Sequence, residues 1–231
     1  MKAMLLSDLI TSKSSSMQML GISLFVGVFI AISTGQLVTS VACITAMVPF
    51  IYLFSLSVTD EQNGWERFRL TLPITRRQVA YGRYLSMAVM MVISLAVAVI
   101  VGIVTGLIAD LLPAGTADDQ LKLSDWGVST LLLVGSLVQV IILLAAAFSL
   151  PLLIRFGVTT ASRLVPIVLV LALSAGVAFF SNDLEQLVSS PVFQGGEEAL
   201  YAIDGILTVI ALGLYGASAL LSGRLYEQRE L

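Results

Sequence analysis

The side chains that carry most protein chemistry are sparse in this chain. Histidine is absent, and cysteine occurs once, at Cys43. Serine–histidine and cysteine–histidine nucleophiles, histidine-held zinc or haem, and thiolate metal clusters are therefore excluded. No Gly-x-x-x-x-Gly-Lys-Ser/Thr run is present, so no P-loop exists to cradle ATP phosphates. Aspartyl proteolysis inside a membrane needs two apposed carboxylates, and Asp204 is the only carboxylate within an apolar run. The sequence thus holds no legible enzyme active site and calls for no cofactor of its own.

What remains is recognition chemistry, concentrated between Glu61 and Gln78. This polar, amphipathic stretch carries Glu66, Arg67, Arg69, Arg76 and Arg77 between long apolar runs. Asn63-Gly-Trp-Glu66 has a polar cap followed three residues later by glutamate, a helix start. Trp65, Phe68 and Leu72 then recur at spacings of three and four, which places them on one helical face. Leu72-Pro73 ends that helix, because proline lacks an amide donor and drives its predecessor out of the helical region. Thr75-Arg-Arg-Gln78 supplies a second cap, from which a helix runs into the next apolar segment. Two readings stand at this point. The stretch is an interfacial helix whose arginines obey an orientation rule, or it offers an aromatic face and arginines to a soluble partner.

The elements that position this stretch follow from composition. Of 231 residues, 58% are hydrophobic and 12% charged, with a mean hydropathy of +0.99. No Asp, Glu, Lys or Arg occurs from Ser14 to Thr59, Tyr84 to Ala109, Trp126 to Ile154, Leu164 to Asn182, or Gly205 to Gly223. A helix needs about 20 residues to cross a hydrocarbon core of about 30 Å. The first gap holds two crossings with Ser33-Thr34-Gly35-Gln36 as the turn. The expectation is an all-α polytopic membrane protein with six transmembrane helices, near 17–35, 38–58, 84–109, 128–153, 164–181 and 202–222. Eleven of the twelve basic residues fall on the side of the termini and only Lys122 opposite, which makes both termini cytoplasmic. The opposite loops carry Asp110, Asp118, Asp119, Asp125, Asp183, Glu185, Glu197 and Glu198. Residues 1–16 read as an interfacial amphipathic helix leading into span one. No cleaved signal peptide is expected, since the first apolar run is of full length. Residues 1–231 form a single transmembrane domain in this reading, with 59–83 as its main cytoplasmic segment.

Within the spans, Asp204 reads as a solvated helix start, and Gln139 as the donor or acceptor of an interhelical hydrogen bond. Pro49, Pro151 and Pro166 are expected to kink or loosen their helices. Gly102-Ile-Val-Thr-Gly106 matches the small-xxx-small pattern of close helix packing. Met87, Met90 and Met91 read as packing in the membrane.

Glu61, Trp65, Phe68, Leu70-Thr-Leu-Pro-Ile-Thr-Arg-Arg77 and Arg83-Tyr-Leu85, with the closing Ser222-Gly-Arg-Leu-Tyr-Glu-Gln-Arg229, resemble the six-span permease subunits of type-2 ABC transporters. The resemblance extends over the whole chain in span count and loop lengths. It implies a prokaryotic cell-membrane subunit that pairs with a separate ABC ATP-binding subunit, two of each per complex, as a homodimer or with a related permease. It implies a coupling helix at 63–72 seated in a groove of the ATPase. The residues docking that partner would be Glu61, Trp65, Glu66, Phe68, Arg69, Leu72, Pro73, Arg76 and Arg77. ATP and Mg would be bound by the partner, and export of an amphiphile (peptide, lipid or drug) would be the default. The alternative from another class is a non-transporting membrane scaffold or the anchor of a sensor complex. A secondary carrier is disfavoured, because no charged residue lies mid-membrane for ion coupling.

Overall fold

The computed structural model describes residues 13–62, 76–112, 119–124, 126–155 and 197–227. Helix α1 (Lys13–Thr34) and helix α2 (Leu37–Gln62) are joined by Gly35 and Gln36. Gly35 has φ of 68°, the left-handed conformation that ends a helix and that glycine adopts without a Cβ clash. Helix α3 (Arg76–Leu111), a short 3-10 turn (Asp119–Leu121), helix α4 (Trp126–Arg155) and helix α5 (Glu197–Glu227) follow. Trp126 Nε1 donates to the Gln120 carbonyl at 2.8 Å and ties that turn to the start of α4. Among the described residues there is no strand. Among the described residues five helices are long and apolar enough to cross a membrane. They correspond to five of the six expected spans. The expected span at 164–181 lies outside the described residues, as do residues 1–12 of the interfacial helix and the segment from Asn63 to Thr75.

Contacts at glycines fix how the helices run. A Cβ at Gly102 would come within 2.7 Å of Val41 Cγ2, and one at Gly106 within 3.0 Å of Leu37 Cδ2. The small-xxx-small pair is therefore where α2 closes on α3, antiparallel to it. Gly106 also abuts Leu123, and Gly135 abuts Leu95, which sets α4 antiparallel to α3. Gly27 meets Ile44 between α1 and α2. Helices α4 and α5 run in the same direction, since Ser136 touches Asp204 and Ser218 touches Ala147. One end of the bundle thus gathers Lys13, Arg76, Arg77, Arg83, Arg155 and Arg224. The other has Asp110, Asp119, Glu197 and Glu198, with Lys122. We call these the basic and acidic ends.

The core divides along the bundle. Near the acidic end Leu37, Val41, Ile44, Ala98 and Leu131 are fully buried. Near the basic end Tyr52, Tyr84, Met87, Met90, Met91 and Tyr215 pack with apolar residues of α4. The three methionines are buried between helices rather than turned to lipid. Residues at 37, 41, 44, 48 and 52 form the inward stripe of α2, spaced as a helical seam requires. Pro49 lies inside α2, which stays continuous, and α4 passes through Pro151 without a break.

Helix α3 is the longest element. Its 36 residues span about 54 Å at 1.5 Å per residue, well beyond a hydrocarbon core of about 30 Å. About half of the surplus lies at the basic end, where the eight residues Arg76 to Arg83 precede the expected start of the span. The helix begins directly after Thr75, where the second capping signature places it.

Candidate functional site

The expected docking segment enters and leaves through the basic end. Glu61 falls in the last turn of α2, and Arg76 and Arg77 in the first turn of α3. Arg77 is exposed. Trp65, Glu66, Phe68, Arg69, Leu72 and Pro73 lie outside the described residues. The structure therefore brings the two ends of this segment together across a helical hairpin.

Just inside that hairpin, α3, α4 and α5 are joined by hydrogen bonds. Tyr84 Oη lies 2.8 Å from Ser218 Oγ and 2.7 Å from Ser222 Oγ. Tyr215 Oη donates to the Tyr84 carbonyl at 2.8 Å, and the two rings are tilted with centroids 4.9 Å apart. Ser218 Oγ donates to the Ala147 carbonyl of α4. These bonds fix the proton order. The single Ser218 hydrogen goes to Ala147, so Tyr84 donates to Ser218 and Ser222 donates to Tyr84.

The Ala147 carbonyl is free for this purpose because of Pro151. In a regular helix it would accept the amide of the residue four positions later, and that residue is a proline with no N–H. Ser218 supplies the missing donor from another helix. Beside the network, a Cβ on Gly223 would meet the Tyr81 ring at 3.1 to 3.3 Å, so glycine lets α5 lie against the start of α3. Interhelical hydrogen bonds in a bilayer average only about 0.6 kcal/mol each. Four of them hold register and direction more than they supply stability.

A second polar contact lies toward the acidic end. Ser136 Oγ of α4 is 2.6 Å from Asp204 Oδ2 and 2.9 Å from its own Leu133 carbonyl. Asp204 is 9% exposed. The expectation of a solvated helix start is overturned. Helix α5 begins at Glu197, two turns earlier than the charge-free run suggests, which carries Asp204 into the bundle. Gln139 is corrected too. Its Oε1 is buried without a hydrogen-bond partner among the described residues, as is Asp204 Oδ1. Ser136, one turn away, makes the interhelical bond instead.

Also toward the acidic end, an apolar groove of about 510 Å³ opens between α1 and α3. It is lined by aliphatic residues such as Leu24, Val28, Ile32, Val104 and Ile108, with Thr105 the one polar side chain. Such a wall accommodates hydrocarbon and offers no catalytic group. Among the described residues no group of His, Cys, Asp or Glu could hold a metal ion.

Sequence reasoning missed Tyr84, Tyr215, Ser218, Ser222 and Ser136. A signal for the α5 members was present. Asp204, Ala211, Tyr215, Ser218 and Ser222 recur at spacings of seven, four, three and four, a seam of small and polar residues within an apolar helix.

The described helices thus form an apolar bundle with a basic end, an acidic end and an elongated α3. The family model described as ABC-2 family transporter protein matches residues 3–227. The chain belongs to this family and is a multi-pass membrane permease subunit of an ABC transporter. Members of the family associate with an ABC ATP-binding subunit and are not themselves enzymes. No curated protein and no solved structure matches the chain significantly.

Proposed function

We propose that the chain is the membrane-spanning subunit of an ATP-driven exporter in a prokaryotic cell membrane. It forms the substrate path within one domain spanning residues 1–231, with six spans and both termini cytoplasmic. The basic end then faces the cytoplasm, where the positive-inside bias puts it. An ABC ATP-binding subunit binds ATP and Mg and docks on the coupling segment. Glu61, Trp65, Glu66, Phe68, Arg69, Leu72, Pro73, Arg76 and Arg77 carry that contact. A second copy of the chain, or a related permease, completes the complex.

The observation that carries this reading is α3. An unbroken helix runs from the docking segment at Arg76 to the acidic end at Leu111, so a push at its base is delivered across the membrane. No P-loop occurs in the chain, so the push comes from another subunit. The substrate is an amphiphile. Apart from Asp204 the spans carry no charge at depth, and the α1–α3 groove is walled by hydrocarbon.

The complex reconstituted in liposomes tests this with three fluorescent probes: a lipophilic cationic dye, a headgroup-labelled phospholipid and a labelled amphipathic peptide. ATP-dependent movement of at least one, abolished by vanadate, is the expected result. Movement of none, with permeation of ions or sugars instead, would overturn the amphiphile assignment.

A further inference from the structure

We infer that Tyr84, Tyr215, Ser218 and Ser222, with the Ala147 carbonyl freed by Pro151, form a joint that makes α3, α4 and α5 move as one body. This inference rests on the permease reading and specifies how motion at the docking segment spreads through the bundle.

The geometry argues it in three steps. Tyr84 lies eight residues beyond Arg76, about 12 Å along α3. It is therefore close to the docking segment and at the base of the span. Tyr84 is held from both sides, its hydroxyl by two serines of α5 and its carbonyl by Tyr215 of the same helix. Displacement of α3 along or about its axis must break these bonds or carry α5 with it. Ser218 then passes the displacement to α4, through a carbonyl that Pro151 deprives of its usual i+4 amide. The donors run in one direction, Ser222 to Tyr84 to Ser218 to Ala147, so each bond polarises the next.

Pro151 thus acquires a role distinct from bending. It exposes the acceptor on which the last link depends. Tyr215 also makes a tilted ring contact with Tyr84, which survives loss of either hydroxyl. Phenylalanine at both positions would cut hydrogen bonds while keeping the packing.

The test uses the full chain with its captured ATPase, Cys43→Ala, and spin labels on two pairs of introduced cysteines. The pairs are M17C with L85C, reporting α3, and M17C with L221C, reporting α5; all three positions are exposed. Labelled chain is diluted with unlabelled chain so that distances are read within one copy. Distances are compared without nucleotide and after trapping with ATP and vanadate. In the parent both pairs should shift. In Y84F/Y215F the α3 pair should still shift, whereas the α5 shift should fall to less than half. S218A/S222A should behave alike and serves as the deciding variant if Y84F/Y215F does not fold. P151A, whose restored amide competes with Ser218 for the Ala147 carbonyl, cuts only the link to α4 and should leave the α5 shift in place. Full retention of the α5 shift in Y84F/Y215F or S218A/S222A overturns the joint. If neither pair shifts in the parent although nucleotide is trapped, the permease reading fails and the joint falls with it.

Discussion

Gly102 and Gly106 decide how near α2 can come to α3, and their effect is steric. A Cβ at Gly102 would overlap Val41 and press on Leu131, whereas one at Gly213 of α5 meets nothing within 4 Å. Gly102→Leu should therefore destabilise by about 1–3 kcal/mol through overpacking. Gly213→Ala should be neutral or stabilising by up to about 1 kcal/mol, since alanine is the better helix former. Thermal unfolding in detergent, followed by tryptophan fluorescence, separates the two. Equal behaviour would mean the close α2–α3 contact is not formed. The pairing of small residues was readable from the sequence, because it is a local spacing within one helix. The Tyr84 network was not, because Tyr84 and its α5 partners lie more than 130 residues apart, and only the packing of α3 on α5 makes them neighbours. Asp204 was misread for a related reason. Charge-free runs mark where a helix must be apolar, and α5 extends past that run to Glu197.

At the scale of elements, the charge-free gaps located each described helix and the turn at Gly35, because a bilayer forbids unpaired backbone and long apolar runs must be helical. The start of α3 was legible as well: the second capping signature lets a helix run straight into span three, and the helix begins at Arg76, eight residues ahead of the expected span. That continuity separates a lever from a tether. Insertion of one alanine after Arg77 would rotate everything preceding it by about 100° around the α3 axis. A lever so rotated presents the docking face in the wrong direction, so ATPase capture should weaken and nucleotide hydrolysis by the complex should lose its dependence on the permease. A flexible tether would absorb the insertion, and unchanged capture and hydrolysis would contradict the lever.

At the scale of the whole molecule, the basic and acidic ends give the bundle a direction, and α3 runs unbroken between them. Membership of the ABC-2 family accounts for a chain with long apolar spans and no P-loop. Docking of an ATPase on Phe68 and Leu72 is tested most directly by affinity purification of the solubilised chain from its native membrane, beside a variant with Phe68→Asp and Leu72→Asp. Charges on the apolar face expected of residues 63–72 would be desolvated on docking, so they should eject the partner while leaving the spans intact. Recovery of a P-loop ATPase with the parent chain, lost in the double variant, is the predicted result. A well-folded parent that brings down no ATPase, or a double variant that retains it in full, would contradict it.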